Sequence, residues 1–204
     1  MSICVFNIET NGLEADKGQM LFACVYDPAK RKTFSFRTWN CFHRRLASLE
    51  AGAIRKLLHT LTRYDVVVSY YGTRFDIPFL KTRSVRYGRR VPKLPTHVDL
   101  YYLVRHHLRL SSNSLANVTR LMRAKESKLR LPREALDQSR FVPVSLQRAL
   151  QRRCAGDTRL TWHVAETLAR TLTSEGPVFK VLQREVRELA KRKPRNNKRL
   201  GFSE

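Results

Sequence analysis

Residues 2–9 form an apolar run that ends in two polar side chains spaced two apart, Asn7 and Glu9. Read as a β-strand, that spacing places both on one face, within reach of a shared ligand. A polar loop follows over 12–18, long enough to border a site. Segments 20–26 and 32–38 are apolar with β-branched and aromatic residues, and Asp27-Pro28 with the basic residues after it marks a hairpin turn. The chain is therefore predicted to open with three antiparallel strands. Over 46–61 the period changes, because Leu46, Leu49, Ala53, Leu57, Leu58 and Leu61 fall on one helical stripe. Residues 66–70 are short, β-branched and nearly all apolar, as an interior parallel strand should be. A helix is expected over 76–87, with Pro78 tolerated in its first turn, then a loop over 88–95. A last strand over 96–100 feeds a helix reaching Arg109, and Ser112 or Asn113 caps the next one, with Leu115, Val118, Leu121 and Met122 on its apolar side. Residues 123–143 are basic and proline-punctuated, a lid or a linker. A long helix capped by Ser145 carries Leu146, Leu150, Cys154, Thr161, Ala165, Leu168 and Leu172 on one face. Gly176-Pro177 parts it from a final helix with Val178, Leu182, Val186 and Leu189 along one side. The order βββ-α-β-α-β-α predicts an α/β fold, a mixed five-stranded sheet flanked by helices.

Length and charge narrow the class. At 204 residues, a single domain over 1–190 with a loose basic tail over 191–204 is the natural division. The chain holds 40 Lys and Arg against 17 Asp and Glu, a net charge of +23. Such a field favours a polyanion, chiefly nucleic acid, and makes binding salt-dependent. The basic groups Arg83/Arg86/Arg89/Arg90, Arg120/Arg123/Lys125/Lys128 and Lys191/Arg192/Lys193/Arg195 are candidate backbone-binding surfaces or plain solvated surface. Cys4, Cys24, Cys41 and Cys154 lack paired C-x-x-C spacing and read as reduced core thiols. No signal peptide and no membrane-length apolar run is present, so a cytoplasmic or nucleoid-associated, intracellular location with no membrane partner is expected.

The acids carry the candidate chemistry. Two polar residues at a strand end need no ligand by themselves, but a strand that should stay buried calls for a partner there. Asp76 follows the loop Tyr71-Gly72-Thr73-Arg74, where glycine allows close backbone approach to a ligand; it serves either as a helix cap or as a ligand. Asp157 falls in mid-helix, where aspartate is a poor former, and either joins the cluster or pairs with Arg153 four residues earlier. His106 and His107 diverge on a helix, which disfavours a metal pair there. Trp39 and Trp162 are expected in or near the core.

These segments resemble the RNase-H-like 3′–5′ exonucleases of the DEDD superfamily, in particular small stand-alone enzymes related to the proofreading domains of family-B DNA polymerases. The family's first motif, F-D-x-E-T, is matched by Phe6-Asn7-Ile8-Glu9-Thr10 except at the aspartate. Its second is matched by Gly72-Thr73-Arg74-Phe75-Asp76, and its third by the stretch from Cys154 to Leu160 around Asp157. His97-Val98-Asp99-Leu100 and the stretch 110–118 also resemble connecting segments of this subgroup. The similarity runs over about residues 2–173.

The resemblance implies Asn7, Glu9, Asp76 and Asp157 as catalytic and metal-binding positions, with two Mg²⁺ or Mn²⁺ ions in the active form. For the form with a carboxylate at position 7, it implies two-metal phosphodiester hydrolysis, the ions about 3.5–4 Å apart. Asn7 departs from it, because an amide offers one weaker oxygen and no negative charge. One such change in an otherwise complete motif reads as an inactivation that leaves substrate binding intact. Arg153 and Arg152 stand where the family has a tyrosine or histidine, and a guanidinium is no general base. Arg153 is instead expected to hold phosphate or pair with Asp157. His163 faces elsewhere, and Tyr70, Tyr71 or another histidine is left as a substitute. Thr10, Asn11 and Leu13 are implied contacts of the 3′-terminal nucleotide, with Tyr71 and Arg74 beside them; Leu13 is either a wedge or a loop plug. The implied function is 3′–5′ exonuclease action on single-stranded DNA, with RNA as a further substrate. The alternatives are a catalytically dead nucleic-acid-binding protein and a structure-selective endonuclease on the same fold.

Overall fold

A computed structural model describes residues 2–38, 46–131, 144–172 and 176–191. The three opening strands are β1 (Ile3–Thr10), β2 (Met20–Asp27) and β3 (Lys32–Arg37). After them come α1 (Leu46–Leu61), β4 (Val66–Ser69), α2 (Asp76–Arg86), β5 (Thr96–Asp99), α3 (Leu100–His107) and α4 (Leu115–Leu121). The helices α5 (Val144–Thr171) and α6 (Pro177–Lys191) are the last elements among the described residues. The strands form one sheet in the order β3-β2-β1-β4-β5. β1–β2 and β2–β3 are antiparallel, whereas β1–β4 and β4–β5 are parallel, the mixed five-stranded sheet expected.

Alternation along the strands divides the core into two layers. Cys4, Phe6, Ile8, Ala23, Val25 and Val67 pack with Ala53, Ile54, Leu57, Leu58 and Leu61 of α1 and Phe79 and Leu80 of α2. On the other face, Ile3, Val5, Val66, Val68 and Val98 meet Leu160, Val164, Ala165 and Leu168 of α5 and Phe179, Leu182 and Val186 of α6. Each such fully buried aliphatic side chain contributes about 1.5–3 kcal/mol. β1 and β4 are covered on both faces, which is why they read as continuous apolar runs. Asn7 and Glu9 continue the Ile3–Val5 row, so they point toward α5. Cys4, Cys24 and Cys154 are buried free thiols, and Trp162 is in the core. Trp39, Cys41 and residues 192–204 of the tail lie outside the described residues.

Several local expectations are corrected. α3 stops at His107 rather than Arg109, and the cap of α4 is Ser114, which accepts from Asn117 N. Ser112 and Asn113 do not cap it, because the Ser112 hydroxyl accepts from Ser114 N and the Asn113 carbonyl accepts from the Tyr70 hydroxyl. Leu121 is exposed, whereas Leu115 and Val118 are buried and Met122 packs against the same core. The His106 and His107 rings do not diverge; they meet edge-on with centroids 4.8 Å apart.

Candidate nucleic-acid cleft

The open end of β1, the start of α2 and the middle of α5 surround a cleft of about 500 Å³. Its wall includes Asn7, Glu9, Thr10, Asn11, Leu13, Tyr71, Asp76, Lys128, Arg153 and Asp157. The four positions 7, 9, 76 and 157, remote in sequence, therefore share one cavity. A register shift between Glu9 and Thr10 breaks the β1–β2 ladder at its edge, as bulges beside sites do. One helical turn of α5 brings Arg153, Cys154 and Asp157 to that end of the strand.

Each acid has a distinct environment. Asp76 does not cap α2; Phe75 occupies that position with no side-chain cap, and Asp76 Oδ1 accepts from Ile8 N at 3.0 Å, latching α2 to β1. Burial pushes the Asp76 carboxyl up to about 7, against the opposing pull of the Ile8 N–H. Glu9 is 5% exposed, and burial pushes it up to about 8, opposed chiefly by Arg153. Burial also raises Asp157, opposed by Lys128 and then Arg153.

The cations are arranged differently from expectation. Arg153 does not pair with Asp157: its Nε lies 3.3 Å from Glu9 Oε1, close but too poorly aligned for a hydrogen bond. Asp157 is engaged by Lys128, whose Nζ sits 2.9 Å from Oδ2. The segment read as lid or linker thus supplies a wall of the cleft through Lys128, a residue the sequence placed only among surface cations. Arg83, expected on a backbone-binding surface, is buried against Glu50 at 2.6 Å, because α1 and α2 enclose it; it also donates to the Ala15 carbonyl and the Tyr87 hydroxyl. Asn7 donates from Nδ2 to Cys154 Sγ at 3.5 Å, and the Cys154 thiol donates back to the Asn7 carbonyl at 3.3 Å. Its amide is thereby turned toward α5.

The remaining expected contacts divide. Thr10 Oγ1 donates to the Gly12 carbonyl and Asn11 Oδ1 accepts from Gln19 N, each at 2.6 Å, so both side chains close their own loop. Leu13 is 72% exposed at the cleft mouth and plugs nothing. Tyr71 is exposed on the wall, while Arg74 lies outside it and donates to the Tyr102 hydroxyl at 3.2 Å. Asp99 braces the loop from below: Oδ1 accepts from Tyr71 N and Oδ2 from Thr73 N, both at 2.8 Å. Gly72 is required by its neighbour, since a Cβ there would stand 2.2 Å from Ser69 Oγ. His163 reaches the Met122 carbonyl at 3.1 Å, away from the cleft, as its helical phase implied.

A family model for the RNase H superfamily matches residues 4–131, well over half of the chain. The chain belongs to the RNase H superfamily. The matched span includes Asn7, Glu9 and Asp76 and ends before Arg153 and Asp157. Relatives include a DNA polymerase of Methanocaldococcus jannaschii, 27% identical over 56% of this chain and 8% of that protein. A DNA polymerase of Pyrococcus glycovorans is 24% identical over 58% of this chain and 19% of the polymerase. The chain thus corresponds to a small part of these relatives. The family B DNA polymerase from Pyrobaculum calidifontis superposes with a TM-score of 0.68 at 19% identity, over 89% of this chain and 27% of the polymerase. That likeness is one of fold.

Superfamily members generally use divalent metal ions, and the donor set here fits a pair of them poorly. Position 7 offers an amide, Asp157 Oδ2 is held by Lys128, and Asp76 Oδ1 is held by Ile8 N. Glu9 Oε1 and Asp157 Oδ1 remain buried without a hydrogen bond. Among the described residues, no three His, Cys, Asp or Glu side chains are grouped to hold an ion.

Proposed function

We propose that this chain is a nucleic-acid-binding domain on a nuclease framework, whose cleft takes an unpaired strand end without efficient hydrolysis. The observation that carries the reading is the pair of side-chain cations set against the acids: Lys128 on Asp157 and Arg153 beside Glu9. A cluster of bare carboxylates repels phosphate until metal arrives, whereas acids already faced by ammonium and guanidinium do not. The amide at Asn7 removes the charge a bridging ligand would need. The +23 net charge adds a long-range attraction for the phosphate backbone. Single-stranded DNA is the favoured ligand, with RNA second. In this reading Leu13, exposed at the cleft mouth, meets the terminal base.

The convergence of positions 7, 9, 76 and 157 supports a second reading, a metal-dependent 3′–5′ exonuclease that regains activity with aspartate at position 7. One assay separates the readings: end-labelled single-stranded DNA and RNA and an unlabelled circular strand, the chain and its Asn7→Asp variant, with Mg²⁺, Mn²⁺ or chelator. The proposal expects chelator-resistant binding and intact substrate for the chain itself, and stepwise 3′ shortening only for the variant with metal. Stepwise products from the unaltered chain would return it to the active exonucleases, and cleavage of a circular strand would make it an endonuclease. Failure to bind either polymer would end the reading.

A further inference from the structure

We propose that Tyr71, Tyr101 and Tyr102, with Arg74, form a stacking platform for unpaired bases of the strand whose end enters the cleft. The inference rests on the binding reading above and names where specificity for unpaired strands resides. Tyr101 is the hub: its ring meets Tyr71 at 4.7 Å and 72°, Tyr102 at 5.4 Å and 89°, and Tyr70 at 6.1 Å and 86°. Edge-to-face packing of this kind holds rings rigidly while leaving outer faces free. Tyr71 and Tyr102 are 43% and 36% exposed, and Tyr71 lines the cleft, so the platform continues the cavity.

Tyr71 also has a left-handed backbone, φ 68°, a conformation that suits glycine or asparagine and disfavours a bulky side chain. The strain is held by Asp99, which grips the N–H groups of Tyr71 and Thr73. Arg74 brings a cation to the Tyr102 hydroxyl. Asp99, the acid beneath the loop, is 9% exposed with both oxygens engaged by backbone N–H, so it is committed to holding the loop. Aromatic faces beside a cation bind nucleobases with little sequence preference, and a duplex keeps the faces of its interior bases stacked on one another. The ligand class is therefore a strand with unpaired bases, DNA or RNA alike.

The test is fluorescence anisotropy with a labelled single-stranded oligonucleotide, a version abasic over its 3′-terminal nucleotides, and a blunt duplex. Tyr71→Asn keeps the backbone angle comfortable, so its melting temperature should hold or rise while affinity for the intact oligonucleotide falls about 10-fold. Tyr71→Trp should retain affinity, and Tyr102→Ala should lose a similar factor to Tyr71→Asn. The abasic strand should bind the unaltered chain about 10-fold more weakly and be indifferent to Tyr71→Asn. Unchanged affinity of both tyrosine variants, with the unaltered chain still binding, overturns the platform and leaves the binding reading standing. Equal affinity for duplex and single strand also overturns it. No binding by the unaltered chain defeats both.

Discussion

In the proposed reading Asn7 sets the chemistry, because it puts an uncharged amide at the point where α5 meets β1. Its amide nitrogen engages Cys154, and the acids nearest to it are met by Arg153 and Lys128. Asn7→Asp should therefore create a divalent-ion site. At an ion concentration about 100 times the dissociation constant, the variant gains about 2.7 kcal/mol, which raises Tm by ~5–10 °C. The unaltered chain should shift by less than about 2 °C under the same conditions, read by differential scanning fluorimetry. Glu9 gives a pH prediction. Its folded carboxyl sits at about 8, above the ordinary value of 4.5, so the folded state binds this proton more tightly than the unfolded state. The stability this contributes is complete below pH about 4.5 and is lost as pH rises through about 8. Metal-free protein should lose stability across that window relative to Glu9→Gln, and urea midpoints of the two at several pH values measure the difference.

The loop between β4 and α2 shows how elements hold the site. Gly72 fits only because it lacks a Cβ, and Gly72→Ala should cost about 1–3 kcal/mol through collision with Ser69, read as a lower urea midpoint with unchanged m-value. Asp99, at the end of β5, fixes the same loop by accepting from its backbone N–H groups, each such bond to a carboxylate contributing about 1.5–3 kcal/mol. Asp99→Ala should free Tyr71 and Thr73 locally, so their amide protons exchange faster while those of β1 keep their protection. On the other side of the cleft, Glu50 accepts from Met20 N and Arg83, and Arg83 donates to Ala15. That buried pair anchors the 11–19 loop carrying Leu13. The helix and strand patterns foretold the elements on which these residues sit. The pairings themselves were illegible, because Asp99 and Arg83 look like ordinary polar residues until their partners, 26 and 33 positions away, are brought close.

For the whole molecule, the excess of 40 basic over 17 acidic residues dominates encounter with a partner. If about three phosphates are contacted, the logarithm of single-strand affinity should fall against the logarithm of salt with a slope of about −2, measured by anisotropy across a salt series. The sequence by itself determined the sheet and most of its helices, because apolar period and turn chemistry are local properties that neighbours only reinforce. It also supplied the candidate acids and, through the family resemblance, the uncharged residue at position 7. Only the tertiary structure decided which cation meets which acid, that Arg83 is buried, and that the tyrosines of α3 join Tyr71 beside the cleft. Those outcomes depend on distances between segments far apart in the chain, and burial and electrostatics act through space.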